Sequence, residues 1–160
     1  MKIVLIGGGS YVFAPTVIRD IIIKHELKDS ELVLVDLNQE AVELMEGVAK
    51  KIAEDLGVNI EINSSVDRRE VFPETDFVIV SAAIQGIKRW KMDYEILSNL
   101  GIPHQARENG GLGGLSYSFR SISLLMDICR DMEELCPEAV LLNVTNPLPR
   151  VLTAVHNFTE

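Results

Sequence analysis

The chain has 160 residues, 47% hydrophobic and 24% charged, and its 24 acidic against 15 basic side chains leave a formal charge of -9. At about 100–200 residues per domain it reads as one domain, able to bury a core without disulfide or metal staples. So acidic a surface argues against nucleic acid as a partner, and no run approaches the ~20 consecutive apolar residues of a membrane span.

Apolar runs and helical stretches alternate along the chain. Lys2–Ile6 reads as a buried first strand that ends in Gly7-Gly8-Gly9. Its apolar run is too short for a signal peptide, so a cytoplasmic protein is expected. Residues 15–24 read as a helix, with Pro15 suited to its first turn. Leu32-Val33-Leu34-Val35-Asp36 is a second buried strand with an acid at its carboxyl end. Asn38 then caps a helix whose apolar face is Ala41, Met45, Val48, Ile52 and Leu56, stopped by Gly57. Residues 58–62 alternate like an edge strand, and Phe77–Val80 form a fourth strand followed by the small residues Ser81-Ala82-Ala83.

A helix is expected over residues 90–100, ending at Gly101. A glycine-rich loop then runs to Gly114, followed by a long helix over 115–135, a strand over 139–143 and a last helix after Pro149. Nearly continuous apolar strands alternating with helices predict an α/β fold, a doubly wound parallel sheet of Rossmann type. Cys129 and Cys136 lie seven residues apart on one helix, so roughly 10 Å separates their Cα atoms and they read as reduced thiols.

Gly7-Gly8-Gly9-Ser10-Tyr11-Val12 occupies the place of a dinucleotide fingerprint, between first strand and first helix. Gly7 allows the tight turn, and Gly9 lets the backbone approach a pyrophosphate at the helix N-terminus; Val12 stands where the third glycine of the pattern belongs. Asp36 is placed to accept from ribose hydroxyls and to repel a 2′-phosphate, which favours NAD over NADP. Asn143-Val144-Thr145-Asn146-Pro147 closes the fifth strand, and Pro147 biases Asn146 toward extended backbone and admits a cis bond. The carboxyl ends of strands are where an open α/β sheet binds ligands, so this tip is expected near the nicotinamide. The four glycines of Gly110-Gly111-Leu112-Gly113-Gly114 suggest close backbone approach to a ligand, with Arg107 and Glu108 bringing charge; a flexible surface loop is the plainer account. Lys88-Arg89-Trp90-Lys91 is a small basic cluster that reads as a solvated helix start or as a contact for an anionic substrate group. His25, His104 and His156 show no metal-ligand spacing, and no metal site is expected on these 160 residues.

Taken together, Ile6-Gly7-Gly8-Gly9-Ser10, Asp36, the Glu108…Gly114 loop running into Ser118-Phe119-Arg120-Ser121-Ile122, and the Asn143–Pro147 tip resemble the N-terminal portion of family 4 glycoside hydrolases. The order is the same over nearly the whole chain. That NAD-dependent family departs from the two-carboxylate mechanism of most glycosidases. The resemblance implies transient oxidation of the sugar at C3 by NAD, proton loss at C2, elimination of the aglycone, water addition and return of the hydride. It implies cofactor contacts at Gly7, Gly9, Ser10, Tyr11, Asp36 and Ser81, and contacts to a small-molecule glycoside at Arg89, Glu108 and Asn146.

Family members are longer, and their metal-binding Cys and His and their tyrosine base lie beyond the Asn-Pro tip. The expectation is therefore a cofactor-binding portion, inactive by itself, with divalent metal (manganese) arriving only with the missing C-terminal domain, and a homo-oligomer as the full-length enzyme. Two other readings share the fold. An α-hydroxy acid dehydrogenase of the lactate/malate type also carries an Asn-Pro at a strand end and would use Lys88-Arg89. An isolated nucleotide-binding regulatory domain needs no catalysis at all.

Overall fold

A computed structural model describes residues 1–24, 27 and 29–159. Five strands form one sheet: β1 (Lys2–Ile6), β2 (Glu31–Val35), β3 (Glu61–Ser65), β4 (Phe77–Val80) and β5 (Val140–Asn143), in the order β3-β2-β1-β4-β5. β1 pairs parallel with both β2 and β4, in register Ile6↔Val35 and Ile6↔Val80, and β2 pairs parallel with β3. The chain thus winds outward through β1, β2 and β3, then returns to place β4 on the other side of β1. That reversal of strand order is the point at which such sheets bind ligands. Sheet side chains of both orientations are buried: Leu5 and Leu34 on one side, Val4, Val33 and Val78 on the other. The doubly wound parallel reading describes the architecture.

Six helices are found among the described residues: α1 (Ala14–Arg19), α2 (Gln39–Leu56), α3 (Arg68–Val71), α4 (Gly86–Asn99), α5 (Gly111–Leu135) and α6 (Leu148–Phe158). None is long and apolar enough to cross a membrane. The chain divides into two compact units. The first comprises Met1–Ser81 with Glu134–Leu142, the second Ala82–Glu133 with Asn143–Glu160.

The core of the first unit joins Ile3, Leu5, Leu32, Leu34 and Ile62 of the sheet to α1, α2 and the π-helical turn Asp20–Lys24 that continues α1. α2 begins as expected, with Asn38 Oδ1 accepting from Ala41 N–H at 3.1 Å. Its buried face, however, is Val42, Met45, Ala49 and Ala53, while Val48 and Leu56 are exposed. Small alanines bring the helix close to the sheet, and the stripe turns by one residue to present them. β3 starts three residues later than the alternation suggested, because Val58 N–H instead bonds Ala53 O and closes the end of α2. The polar Asn63, Ser64 and Ser65 are tolerated in β3 because it is an edge strand.

In the second unit Leu97, Leu125, Ile128 and Val151 are buried. α4 begins at Gly86 rather than residue 90, and α5 at Gly111 rather than residue 115. Each glycine costs a helix about 1 kcal/mol relative to alanine, so propensity pointed to a loop. Tertiary packing decides otherwise. A Cβ at Gly113 would lie 2.8 Å from Ala106 Cα, and one at Gly114 3.0 Å from the Asn109 carbonyl carbon. The helix starts in glycine because the 105–109 backbone lies directly on its first turns. The close approach expected at these glycines is thus made by the chain itself, and the flexible-loop account gives way to an ordered helix.

Gly8 sets the tightest contact of the first unit, since a Cβ there would stand 2.8 Å from Leu34 Cβ and 3.0 Å from Leu34 Cα. Gly8→Ala must push the turn off β2. It should lower the stability of the chain by about 1–3 kcal/mol, read as a reduced urea midpoint with unchanged slope.

Candidate functional site

β1 leads into Gly7, whose φ of 89° turns the chain sharply toward β2. There the Val35 carbonyl accepts from both Gly7 N–H (2.8 Å) and Gly8 N–H (3.0 Å). One residue on, Asp36 Oδ2 accepts from Gly9 N–H at 3.2 Å and Oδ1 from Asn38 N–H at 3.1 Å. Ser10 Oγ accepts from Phe13 N–H at 3.3 Å, and Ala14 N–H bonds Ser10 O at 3.0 Å. Within this turn the amides of Tyr11 and Val12 have no hydrogen-bond partner among the described residues. Val12 is exposed, so no close helix–strand contact demands glycine there. Tyr11 is 82% exposed, which leaves its ring open to a ligand. Ser81 follows β4 at the carboxyl edge of the sheet, its N–H bonded to Ile6 O at 2.9 Å.

These residues fit a dinucleotide. The adjacent free amides of Tyr11 and Val12 can donate to a pyrophosphate. A carboxylate offers about four acceptor positions, so Asp36 retains capacity for ribose hydroxyls beyond the two amides it holds. A Cβ on Gly9 would come within 3.0 Å of Asp36 Oδ2, so glycine is what lets the carboxylate sit against the turn. Sequence reasoning assigned the phosphate approach to Gly9. The structure gives the Gly9 amide to Asp36 instead, and the free donors lie two and three residues later. A cleft of about 500 Å³ lined by Met1, Lys2, Asp29, Ser30 and Asn59 opens at the amino end of the strands, the end opposite to where α/β sheets bind ligands.

In the second unit the Asn143–Pro147 tip divides its labour. Asn143 Oδ1 accepts from Thr145 N–H at 3.0 Å. The buried Thr145 hydroxyl donates to Ala82 O at 3.1 Å and accepts from Ala82 N–H at 3.3 Å. Those two residues build the turn. Asn146, ahead of a cis Pro147, is anchored through its carbonyl by Ser121 Oγ at 2.7 Å, which frees its amide side chain to reach Glu108 Oε1 at 3.4 Å. Two of the three expected substrate residues are therefore neighbours. Arg89 lies on α4, half-buried, with Nε lacking a partner.

Sequence reasoning missed a second set of side chains in this unit. Arg120 of α5 pairs with Asp93 of α4 at 2.8 Å, and donates to Ser116 Oγ at 2.7 Å. Ser116 donates in turn to Asp93 Oδ1 at 2.9 Å. The Arg120 guanidinium sits 5.4 Å from the centre of the Tyr117 ring. Burial, then the charge of Glu108 and a hydrogen bond to it, raise the Tyr117 phenol above its ordinary pKa, partly offset by Arg120. Arg150 donates to Ser118 Oγ at 3.2 Å. Arg120 stood inside the recognised motif without a role, and its partner Asp93, 27 residues away, gave no sequence signal.

Among the described residues no three His, Cys, Asp or Glu side chains gather as a metal site. His25 lies outside the described residues. Cys129 and Cys136 are free and buried, and burial raises both thiols above their ordinary pKa.

A glycine turn locked to an acid at the tip of β2, on a parallel sheet ordered 3-2-1-4-5, defines a Rossmann-like α/β protein. Over residues 2–160 the chain matches the model of the Family 4 glycosyl hydrolases, and it belongs to that family. It is 36% identical over 156 residues to an alpha-glucosidase of Erwinia rhapontici, covering 97% of this chain and 34% of that protein. The crystal structure of a 6-phospho-alpha-glucosidase from gut microorganisms in complex with NAD and Mn2+ shares the fold. Its TM-score is 0.86 at 23% identity, over 98% of this chain and 35% of the other. A Plasmodium falciparum malate dehydrogenase shares it more distantly, with TM-score 0.69 at 18% identity over 100% of this chain and 41% of that one. The chain spans about a third of the length of the curated relatives it matches.

The Asp93–Arg120 pair is enclosed, its side chains 15% and 18% exposed, whereas Arg69–Glu134 is open to solvent. Asp93→Ala leaves a half-buried guanidinium without its counter-ion and should cost about 2 kcal/mol. Glu134→Ala should cost less than about 1 kcal/mol. Chemical unfolding of both variants measures the difference, and equal losses would contradict this ranking.

Proposed function

We propose that residues 1–160 are the dinucleotide-binding portion of a glycosidase that cleaves O-glycosidic bonds by the redox route of its family. Bound NAD supplies a hydride acceptor for transient oxidation of the sugar at C3. Asp36, at the tip of β2, receives the adenosine ribose hydroxyls. The amides of Tyr11 and Val12, with the Ser10 hydroxyl, face the pyrophosphate. Gly7 and Gly9 give the turn its shape, and Ser81 borders the cofactor at the end of β4. Glu108 and Asn146 receive sugar hydroxyls, one as acceptor and the other as donor and acceptor, and orient the ring for transfer. Arg89 meets an anionic or hydroxyl group of the glycoside.

Among the described residues no three His, Cys, Asp or Glu side chains gather to hold manganese, so this portion is assigned no metal ligand. On this reading the segment alone binds cofactor without turnover. The buried free thiols accord with a cytoplasmic setting. The exposed Leu112, Leu115 and Phe119 of α5 accord with burial in a homo-oligomer of the whole enzyme.

The observation that carries the cofactor reading is the Asp36 carboxylate, held against the glycine turn by the Gly9 and Asn38 amides. A 2′-phosphate there would meet a fixed negative charge. Calorimetry on the 160-residue chain should show NAD+ binding at least about tenfold tighter than NADP+, a difference of about 1.4 kcal/mol. Asp36→Ala should weaken NAD+ and narrow the gap. Equal affinities in the unmodified chain would overturn the assignment.

A further inference from the structure

The motif Ser118-Phe119-Arg120-Ser121 on α5 carries three polar side chains, and each is committed to a different neighbour. Arg120 pairs with Asp93, and Ser118 donates to Gly114 O, four residues back in the same helix, at 2.6 Å. Serines inside helices commonly make that internal bond. Ser121 departs from it. It is 2% exposed, and its single hydroxyl proton leaves the helix for the Asn146 carbonyl, at 2.7 Å. On the other side of the Asn146 Cα, the Thr145 carbonyl accepts from Asn143 Nδ2 at 3.2 Å. Both peptide planes that flank this Cα are therefore held, and together they set the direction in which the side chain leaves the backbone. The same helix locates Glu108, since a Cβ on Gly114 would lie 3.2 Å from Glu108 O. α5 is thus the common reference for two side chains that meet at 3.4 Å, Asn146 Nδ2 to Glu108 Oε1.

On the reading that Glu108 and Asn146 receive sugar hydroxyls, we infer that Ser121 is the positioning residue of this pair: its hydroxyl holds the Asn146 backbone where the carboxamide stands beside the Glu108 carboxylate. Because Ser121 takes the backbone carbonyl, the carboxamide is engaged only by the long contact to Glu108 and keeps its hydrogen-bonding capacity for a ligand. A carboxamide beside a carboxylate offers a donor and acceptors together. That suits two neighbouring ring hydroxyls and disfavours an anionic substituent at that point. With the backbone held, only side-chain torsions are left to order when a sugar arrives, so less freedom is lost on binding. Ser121→Ala takes the donor from the Asn146 carbonyl, and the peptide plane after Asn146 is then free to turn.

The side-chain amide of Asn146 reports on this hold directly. In the nitrogen-labelled 160-residue chain its two proton signals are those missing from Asn146→Asp. Ser121→Ala should shift them and lower their heteronuclear NOE, the signature of faster motion. Ser118→Ala removes an equally buried hydroxyl, 3% exposed, from the same face of α5 and should leave the Asn146 signals in place. Unmoved signals in Ser121→Ala, or equal changes in both variants, would overturn the inference. Binding of glucose and of glucose 6-phosphate, measured by calorimetry with NAD+ present, tests the consequence. Ser121→Ala should weaken the sugar that binds by roughly 3- to 10-fold and leave NAD+ affinity unchanged. If Asn146→Ala weakens sugar binding and Ser121→Ala does not, the positioning role is wrong while the sugar reading stands. If Asn146→Ala has no effect, or neither sugar binds the unmodified chain, the sugar reading fails. The Asn146 signals then decide by themselves whether Ser121 holds the amide.

Discussion

One carbonyl oxygen organises the turn at the carboxyl ends of β1 and β2. Val35 O receives two successive amides, Gly7 and Gly8, and so clamps the chain leaving β1 onto the end of β2. The clamp works only because Gly8 has no side chain, as its Cβ would overlap Leu34. Once the turn is pressed there, Gly9 falls within reach of Asp36, and the amides that follow are carried clear of internal partners. The turn, the acid and the free donors are therefore one construction. Loosening the contact at Gly8 would dissolve all three.

The second unit uses the same device for another purpose. Gly111, Gly113 and Gly114 admit the 105–109 backbone onto the first turns of α5. That contact carries Glu108 to the helix bearing Tyr117 and Arg120, and Ser121 of the same helix anchors the Asn146 carbonyl. α5 is thus both a core helix, through Leu125 and Ile128, and the frame of a polar cluster. The acid-rich composition is no obstacle to this cluster, because Arg120 is enclosed and held by Asp93 and Ser116.

Much of this was legible in the sequence. Continuous apolar runs marked β1, β2 and β4 to within a residue, since strands buried on both faces have no polar positions to confuse the pattern. β3 was misplaced because an edge strand can be polar, while the apolar Val58 and Ile60 before it pack against the core without joining the strand. The face of α2 was misread because its closest contacts use alanine, which pattern reading ranks below valine and leucine. Asp36 was visible from its place after an apolar strand. The cluster of Asp93, Ser116, Tyr117 and Arg120 was not, because its members come from two helices and meet only through folding. The division of labour among Asn143, Thr145 and Asn146 was hidden too: the motif names the residues, and only the hydrogen bonds show which two build the turn.

The central claim is that the Gly7–Val12 turn and Asp36 form the cofactor site. An amide-resolved NMR titration of the nitrogen-labelled chain with NAD+ addresses it most directly. The account predicts the largest shifts at the Gly9, Ser10, Tyr11 and Val12 amides, and at Asn38, whose N–H reports on Asp36. Amides around the cleft lined by Lys2, Asp29 and Asn59 should stay still. Shifts centred on that cleft, or none anywhere at saturating NAD+, would contradict the account.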